Sequence, residues 1–61
     1  MKVIDLLNIL SFEVEIMLFW DNNHDFINEY YSKQVVLEEW FSHMVVYVCI
    51  MRKNKIAIYI K

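Results

Sequence analysis

The sequence predicts an α+β fold: two α-β-β units whose four strands form one antiparallel sheet, with two short helices on one face. Three observations predict it. Two short stretches place apolar residues at helical spacing. Two strand-like runs follow each of them, alternating at Phe12–Trp20 and apolar on both faces in the final pair. Turn-forming residues, chiefly Asn, separate the members of each pair. No linker or low-complexity segment divides the 61 residues, so residues 1–61 read as a single small domain.

The elements are justified in order. Lys2, Asp5 and Asn8 recur every three residues, with Val3, Ile4, Leu7 and Leu10 on the opposite side, which predicts an amphipathic helix over Lys2–Leu10. Phe12–Trp20 alternates as a strand: Phe12, Val14, Ile16, Leu18 and Trp20 share one face, and Glu13, Glu15, Met17 and Phe19 the other. The tetrapeptide DNNH (Asp21–His24) follows. With no glycine or proline in the chain, Asn supplies turns best, and Asn22-Asn23 is expected to form a two-residue type I′ turn. Phe26–Tyr31 then returns as a strand, Leu18 opposite Ile27 and Phe19 opposite Phe26. Ser32 is the expected N-cap of a second helix over Lys33–Ser42, with Val36, Leu37, Trp40 and Phe41 as its apolar stripe. Met44–Met51 and Lys55–Lys61 are the last strands, around a Lys53-Asn54 turn.

The final hairpin, VVYVCIMRKNKIAIYIK, is apolar on both faces in either register. A two- or four-residue turn puts Val45, Tyr47, Cys49 and Met51 with Ile56, Ile58 and Ile60; a bulged loop exchanges the isoleucines, and neither face becomes polar. Helices on one side of a sheet cover one of these faces only. Leaving about 400 Å² of apolar surface bare forfeits roughly 10 kcal/mol of burial, as much as a small domain's whole stability. A second molecule is therefore expected against the hairpin.

Composition agrees. The chain is 59% hydrophobic, above the average for soluble proteins. A domain of this size is marginally stable alone, and the one cysteine, Cys49, excludes an internal disulfide. The longest run without a charged residue, Trp40–Met51, is too short to span a bilayer. Asp5 and Asn8 interrupt any signal-peptide pattern, so a cytoplasmic, reducing location is expected. Charge is asymmetric. Eight acids against Lys2 and Lys33 leave −6 over residues 1–51, and Arg52, Lys53, Lys55 and Lys61 give +4 over the rest, for a net −2.

Catalytic chemistry finds little support. Cys49 lies mid-strand, where a cysteine is commonly a small buried hydrophobe. His24 falls in a turn and His43 at a helix end. No Cys/His cluster has metal spacing, and the absence of glycine excludes phosphate-cradling loops as motifs. The expectation is a non-enzyme with no cofactor and no metal. On the first hairpin Met17, Phe19, Phe26 and Tyr30 share a face with Glu13 and Glu15. Aromatics and methionine with a charged rim match interface composition, so these residues, with Tyr47 and Tyr59, are the expected partner-binding set. Arg52, Lys53 and Lys55 at the hairpin tip are the alternative, a nucleic-acid contact, which the net negative charge opposes.

MKVIDLLNIL, VEIMLFWDNN, VLEEWF and the closing KIAIYI resemble, in residue usage and unit size, the small orphan proteins of phages and mobile elements of AT-rich bacteria, anti-CRISPR proteins among them. That resemblance implies a non-catalytic inhibitor bound to a host nuclease or other defence protein. The leading expectation is thus a protein-binding module, homodimeric or larger, of this anti-defence type. A nucleic-acid-binding protein and a structural oligomer subunit are the alternatives, with no membrane partner in any of them.

Overall fold

The computed structural model describes residues 1–61. Its elements are helix α1 (Val3–Leu7), strands β1 (Glu15–Trp20) and β2 (Phe26–Tyr30), 3₁₀ turns at Lys33–Val35 and Glu38–Trp40, and strands β3 (Val45–Arg52) and β4 (Lys55–Ile60). The fold is α+β with one four-stranded sheet, as the sequence predicts. The sheet is mixed, however, rather than antiparallel. Its order is β2-β1-β4-β3: two antiparallel hairpins joined by parallel pairing of their inner strands.

The parallel seam has a residue-level cause. EIMLFW and KIAIYI match position by position in register. Glu15 meets Lys55 at the start. Ile16, Leu18 and Trp20 meet Ile56, Ile58 and Ile60 on one face, and Met17 and Phe19 meet Ala57 and Tyr59 on the other. Charge, aliphatic and aromatic positions coincide, and these two strands take the centre, where both faces are most covered. Residues 31–44 then carry the chain from one edge of the sheet to the other. Four strands are about 14 Å across at roughly 4.8 Å spacing, a span this connector crosses while also covering the face beneath it.

Both helices are shorter than expected. A five-residue helix cannot sustain itself. α1 is held by Val3 N–H and Ile4 N–H donating to the His43 and Phe41 carbonyls, and its start by Lys2 N–H donating to Asp5 Oδ2 at 3.0 Å. Ser32 does cap the connector, its Oγ accepting from Gln34 N–H. The helix expected over Lys33–Ser42 nevertheless breaks into two 3₁₀ turns, because Val36 and Leu37 are extended. That extension turns Val36 into the core and leaves Leu37 half exposed. The first strand also begins later than expected. Phe12 and Glu13 form a turn, and Phe12 lies exposed under the Lys33 ammonium, 4.7 Å from its ring centroid.

The core occupies one side of the sheet. Val3, Leu6 and Leu7 of α1 and Val36 of the connector pack on Ile16, Leu18, Tyr30, Ile58 and Ile60. Trp20 and Trp40 close its end edge to face, 5.8 Å apart, and Trp40 Nε1–H donates to Tyr30 Oη at 3.1 Å. His43 packs against both indoles and lies 3.1 Å from the Lys61 carbonyl through Nδ1, tying connector to C-terminus. No helix is long and apolar enough to cross a membrane.

Candidate protein-interaction surface

The helix-free face of the sheet is ordered in three rows. The first is aromatic and crosses all four strands: Phe26, Phe19, Tyr59, Tyr47. Phe19 stacks on Tyr59 at 5.0 Å, Tyr59 on Tyr47 at 4.3 Å, and Phe26 meets Phe19 edge to face at 5.6 Å. The second row is Glu29, Met17, Ala57, Cys49, with Ala57 buried between its neighbours. The third is charged. Arg52 reaches Glu15 at 3.4 Å, and Lys55 reaches Glu29 at 2.9 Å.

Irregularities in pairing build this face. The 21–25 loop is closed by Trp20 N–H donating to the Asp25 carbonyl. Its positive φ falls on His24 (60°), not on Asn22 or Asn23, so the expected type I′ turn is absent. Asn23 instead accepts from Asp25 N–H, the local side-chain turn for which Asn is suited. Phe19 opposes Phe26 as expected, but a register shift makes Leu18 oppose Asn28 rather than Ile27. The Lys53-Asn54 turn forms where expected. A second shift before it, between Ile50 and Arg52, moves Tyr47 and Cys49 onto the face of Ala57 and Tyr59 rather than that of Ile56, Ile58 and Ile60.

The expected contact residues therefore divide. Met17, Phe19, Phe26, Tyr47, Tyr59 and Glu15 do share one face. Tyr30 does not: the shift in β2 sets it opposite Ile16, 6% exposed, inside the core. Glu13 lies in the turn before β1 rather than on a strand. Of the tip cations, Arg52 and Lys55 are both engaged with glutamates. Cys49, expected to be buried, is exposed.

His24 is the participant that sequence reasoning left as a plain turn residue. Its positive φ turns the ring over the aromatic row, where Nε2 lies 3.3 Å from Tyr47 Oη and the ring packs edge-on against Tyr59. Asn, Asp and His are the residues that tolerate this backbone region, which is the signal that could have found it. Desolvation of the stacked Tyr47 ring holds its phenol above the ordinary value of 10.0, with Tyr59, Cys49 and Asp21 adding repulsion to the phenolate. The phenol is thus neutral around neutral pH, an uncharged donor and acceptor rather than a base.

The outer edge of the sheet beside this face is open. β3 is an edge strand, and every residue from Val46 to Arg52 is exposed although the strand is largely apolar. On its outer side only the start is paired: Val45 N–H donates to the Met1 carbonyl at 2.9 Å, and Lys2 bridges to Met44. From Val46 onward that side makes no backbone hydrogen bond. Elsewhere, a shallow depression lies past the ends of β1 and β4, lined by Trp20, Asp21, Asn22, Asn23, Ile60 and Lys61. Nowhere do three or more His, Cys, Asp or Glu side chains converge as they would around a metal ion.

Comparison with protein-family models, curated proteins and solved structures finds no match to this chain.

Proposed function

We propose that this chain is a non-catalytic protein-binding module that works as a homodimer through its C-terminal hairpin. The observation that carries the reading is the exposure of β3: an apolar edge strand, uncovered by the chain's own helices, on a sheet whose other three strands contribute to the core. Contiguous apolar surface of this kind marks interaction sites, and open edges are either guarded or paired. The aromatic row with its rim of paired charges extends the same surface and has the composition of an interface.

The row offers less to single-stranded nucleic acid. Bases stack on free ring faces, whereas both faces of Tyr59 are taken by Phe19 and Tyr47. With Arg52 and Lys55 held by glutamates, Lys53 is the one tip cation without an ion-pair partner.

Light scattering on the purified chain from low to high micromolar concentration tests the homodimer. A mass approaching twice 7.5 kDa supports it, and a constant single-chain mass overturns it. The likeness to anti-CRISPR proteins directs the same module at a host defence complex. Titration of the chain into a purified defence nuclease, read as lost cleavage, tests that target, and undiminished cleavage at saturating chain removes it.

A further inference from the structure

Resting on the homodimer reading, we propose that two copies pair antiparallel along the outer edge of β3, about a two-fold axis beside Cys49, into one continuous eight-stranded sheet. The open edge has two fixed ends. Met1 and Lys2 occupy it as far as Val45, and the Lys53-Asn54 turn ends it after Arg52. Val46 to Arg52 is seven residues, and its midpoint is Cys49. Antiparallel pairing that uses the whole stretch then has one symmetric register: Cys49 opposite Cys49, Val48 opposite Ile50, Tyr47 opposite Met51 and Val46 opposite Arg52. A slip in one direction drives each strand into the other copy's Met1, and a slip in the opposite direction discards ladder bonds.

This register accounts for side chains the monomer leaves bare. Ile50 lies mid-strand yet is 81% exposed, and Val48 beside it is 40% exposed. Across the two-fold they become the cross-strand β-branched pairs that stabilise sheets. Met51, also exposed, comes opposite Tyr47, where a thioether against a ring is favourable. Charge permits the approach. Val46–Met51 carries no charged residue, so no charge guards the edge within it; regular pairing with β4 is interrupted on either side, between Val45 and Tyr47 and between Ile50 and Arg52, and the two Arg52 side chains sit at opposite ends. Pairing along the edge covers part of the exposed surface of Val46, Val48, Ile50 and Met51 and leaves both sheet faces in water, so the contact falls at the small end of specific interfaces. A reversible micromolar dimer is expected.

The test uses the full chain and two readouts. Light scattering is compared between wild type and Ile50→Lys, whose far-UV spectrum should be native because Ile50 lies outside the core; dissociation should be at least tenfold easier. Ile50→Thr keeps β-branching and takes the place of the lysine variant if that variant loses the native spectrum, with several-fold weakening expected. Copper–phenanthroline oxidation is the second readout, each thiol giving up a proton and an electron to the oxidant as the S–S bond forms. Native chain should be captured as a covalent dimer faster than urea-unfolded chain at equal concentration, and Cys49→Ser should not be captured. A dimer that survives Ile50→Lys or Ile50→Thr, or a native chain that cross-links no faster than the unfolded one, overturns edge pairing and leaves the homodimer standing on another face. A monomer at every concentration overturns both.

Discussion

Ile50 and Ile58 are the same residue type on adjacent strands, both aimed at the helix side of the sheet, and they should differ sharply on truncation. Ile58 is 0% exposed, within the cluster of α1, β1 and β4. Ile→Ala removes three carbons, about 2.4 kcal/mol at roughly 0.8 per group, and the cavity left in the buried cluster brings the cost to about 3–4 kcal/mol. A 61-residue chain has about 3–9 kcal/mol in total, so Ile58→Ala should remove a third or more of its stability. At an m-value of about 1 kcal/mol per molar urea, the midpoint should fall by about 3 M. Ile50→Ala, at 81% exposure, should cost the single chain only its strand preference, about 0.5 kcal/mol. Urea unfolding at submicromolar concentration, followed through the half-buried Trp20 and Trp40, measures both. Comparable losses for the two variants, or an Ile58→Ala cost below about 1 kcal/mol, would refute the assignment of core and open edge.

Three further outcomes follow from the geometry. Because Tyr47 has its phenol raised above 10.0, the folded state holds that proton after the unfolded chain has released it. The corresponding stability is complete below pH 10 and is lost as pH rises through the folded-state value, so wild type should lose stability relative to Tyr47→Phe only on that alkaline limb; parallel profiles from neutral pH upward would contradict the stacked environment. Trp40→Phe deletes the indole N–H donated to Tyr30 Oη and should cost about 1 kcal/mol in thermal melts, whereas an unchanged melting temperature would show that the bond contributes nothing. The two ion pairs are unequal: the Lys55 side chain is 17% exposed and that of Arg52 67%. Arg52→Ala should therefore stay within about 0.5 kcal/mol, and Lys55→Ala should cost more, with the difference shrinking in high salt; the reverse order would overturn the assignment.

Local patterns were legible and long-range pairing was not. Alternation located β1, the Asn-bearing breaks gave the Phe19–Phe26 pairing and the Lys53-Asn54 turn with β3 and β4 on either side of it, and the spacing of Val3 and Leu7 found α1. Helix lengths were overestimated because periodicity alone ignores what holds a short helix. α1 leans on the carbonyls of Phe41 and His43, far along the chain, and the connector surrenders helix hydrogen bonds to bury Val36. The parallel seam was present in the sequence in a form that scanning along the chain does not reveal. EIMLFW and KIAIYI correspond only when laid side by side, far apart in the chain, whereas the sequential hairpins by themselves favour an antiparallel meander.

The candidate site depended on a subtler quantity, the register of strands that are apolar on both faces. A one-residue slip exchanges the faces of a strand, and pattern pins register only where one face is polar. VVYVCIM satisfies either choice equally well. The choice is made by contacts beyond the strand: Tyr47 stacked on Tyr59, His24 placed over both rings, and Arg52 drawn to Glu15. The irregularity between Ile50 and Arg52 lets those contacts form without moving the turn. The same indifference to register that defeats prediction also leaves β3 apolar on whichever side it turns outward. Ambiguity of face and excess of apolar surface are thus one property of this strand: contacts within the chain settle its face, and the proposed pairing of two copies would cover apolar surface which that choice leaves outside.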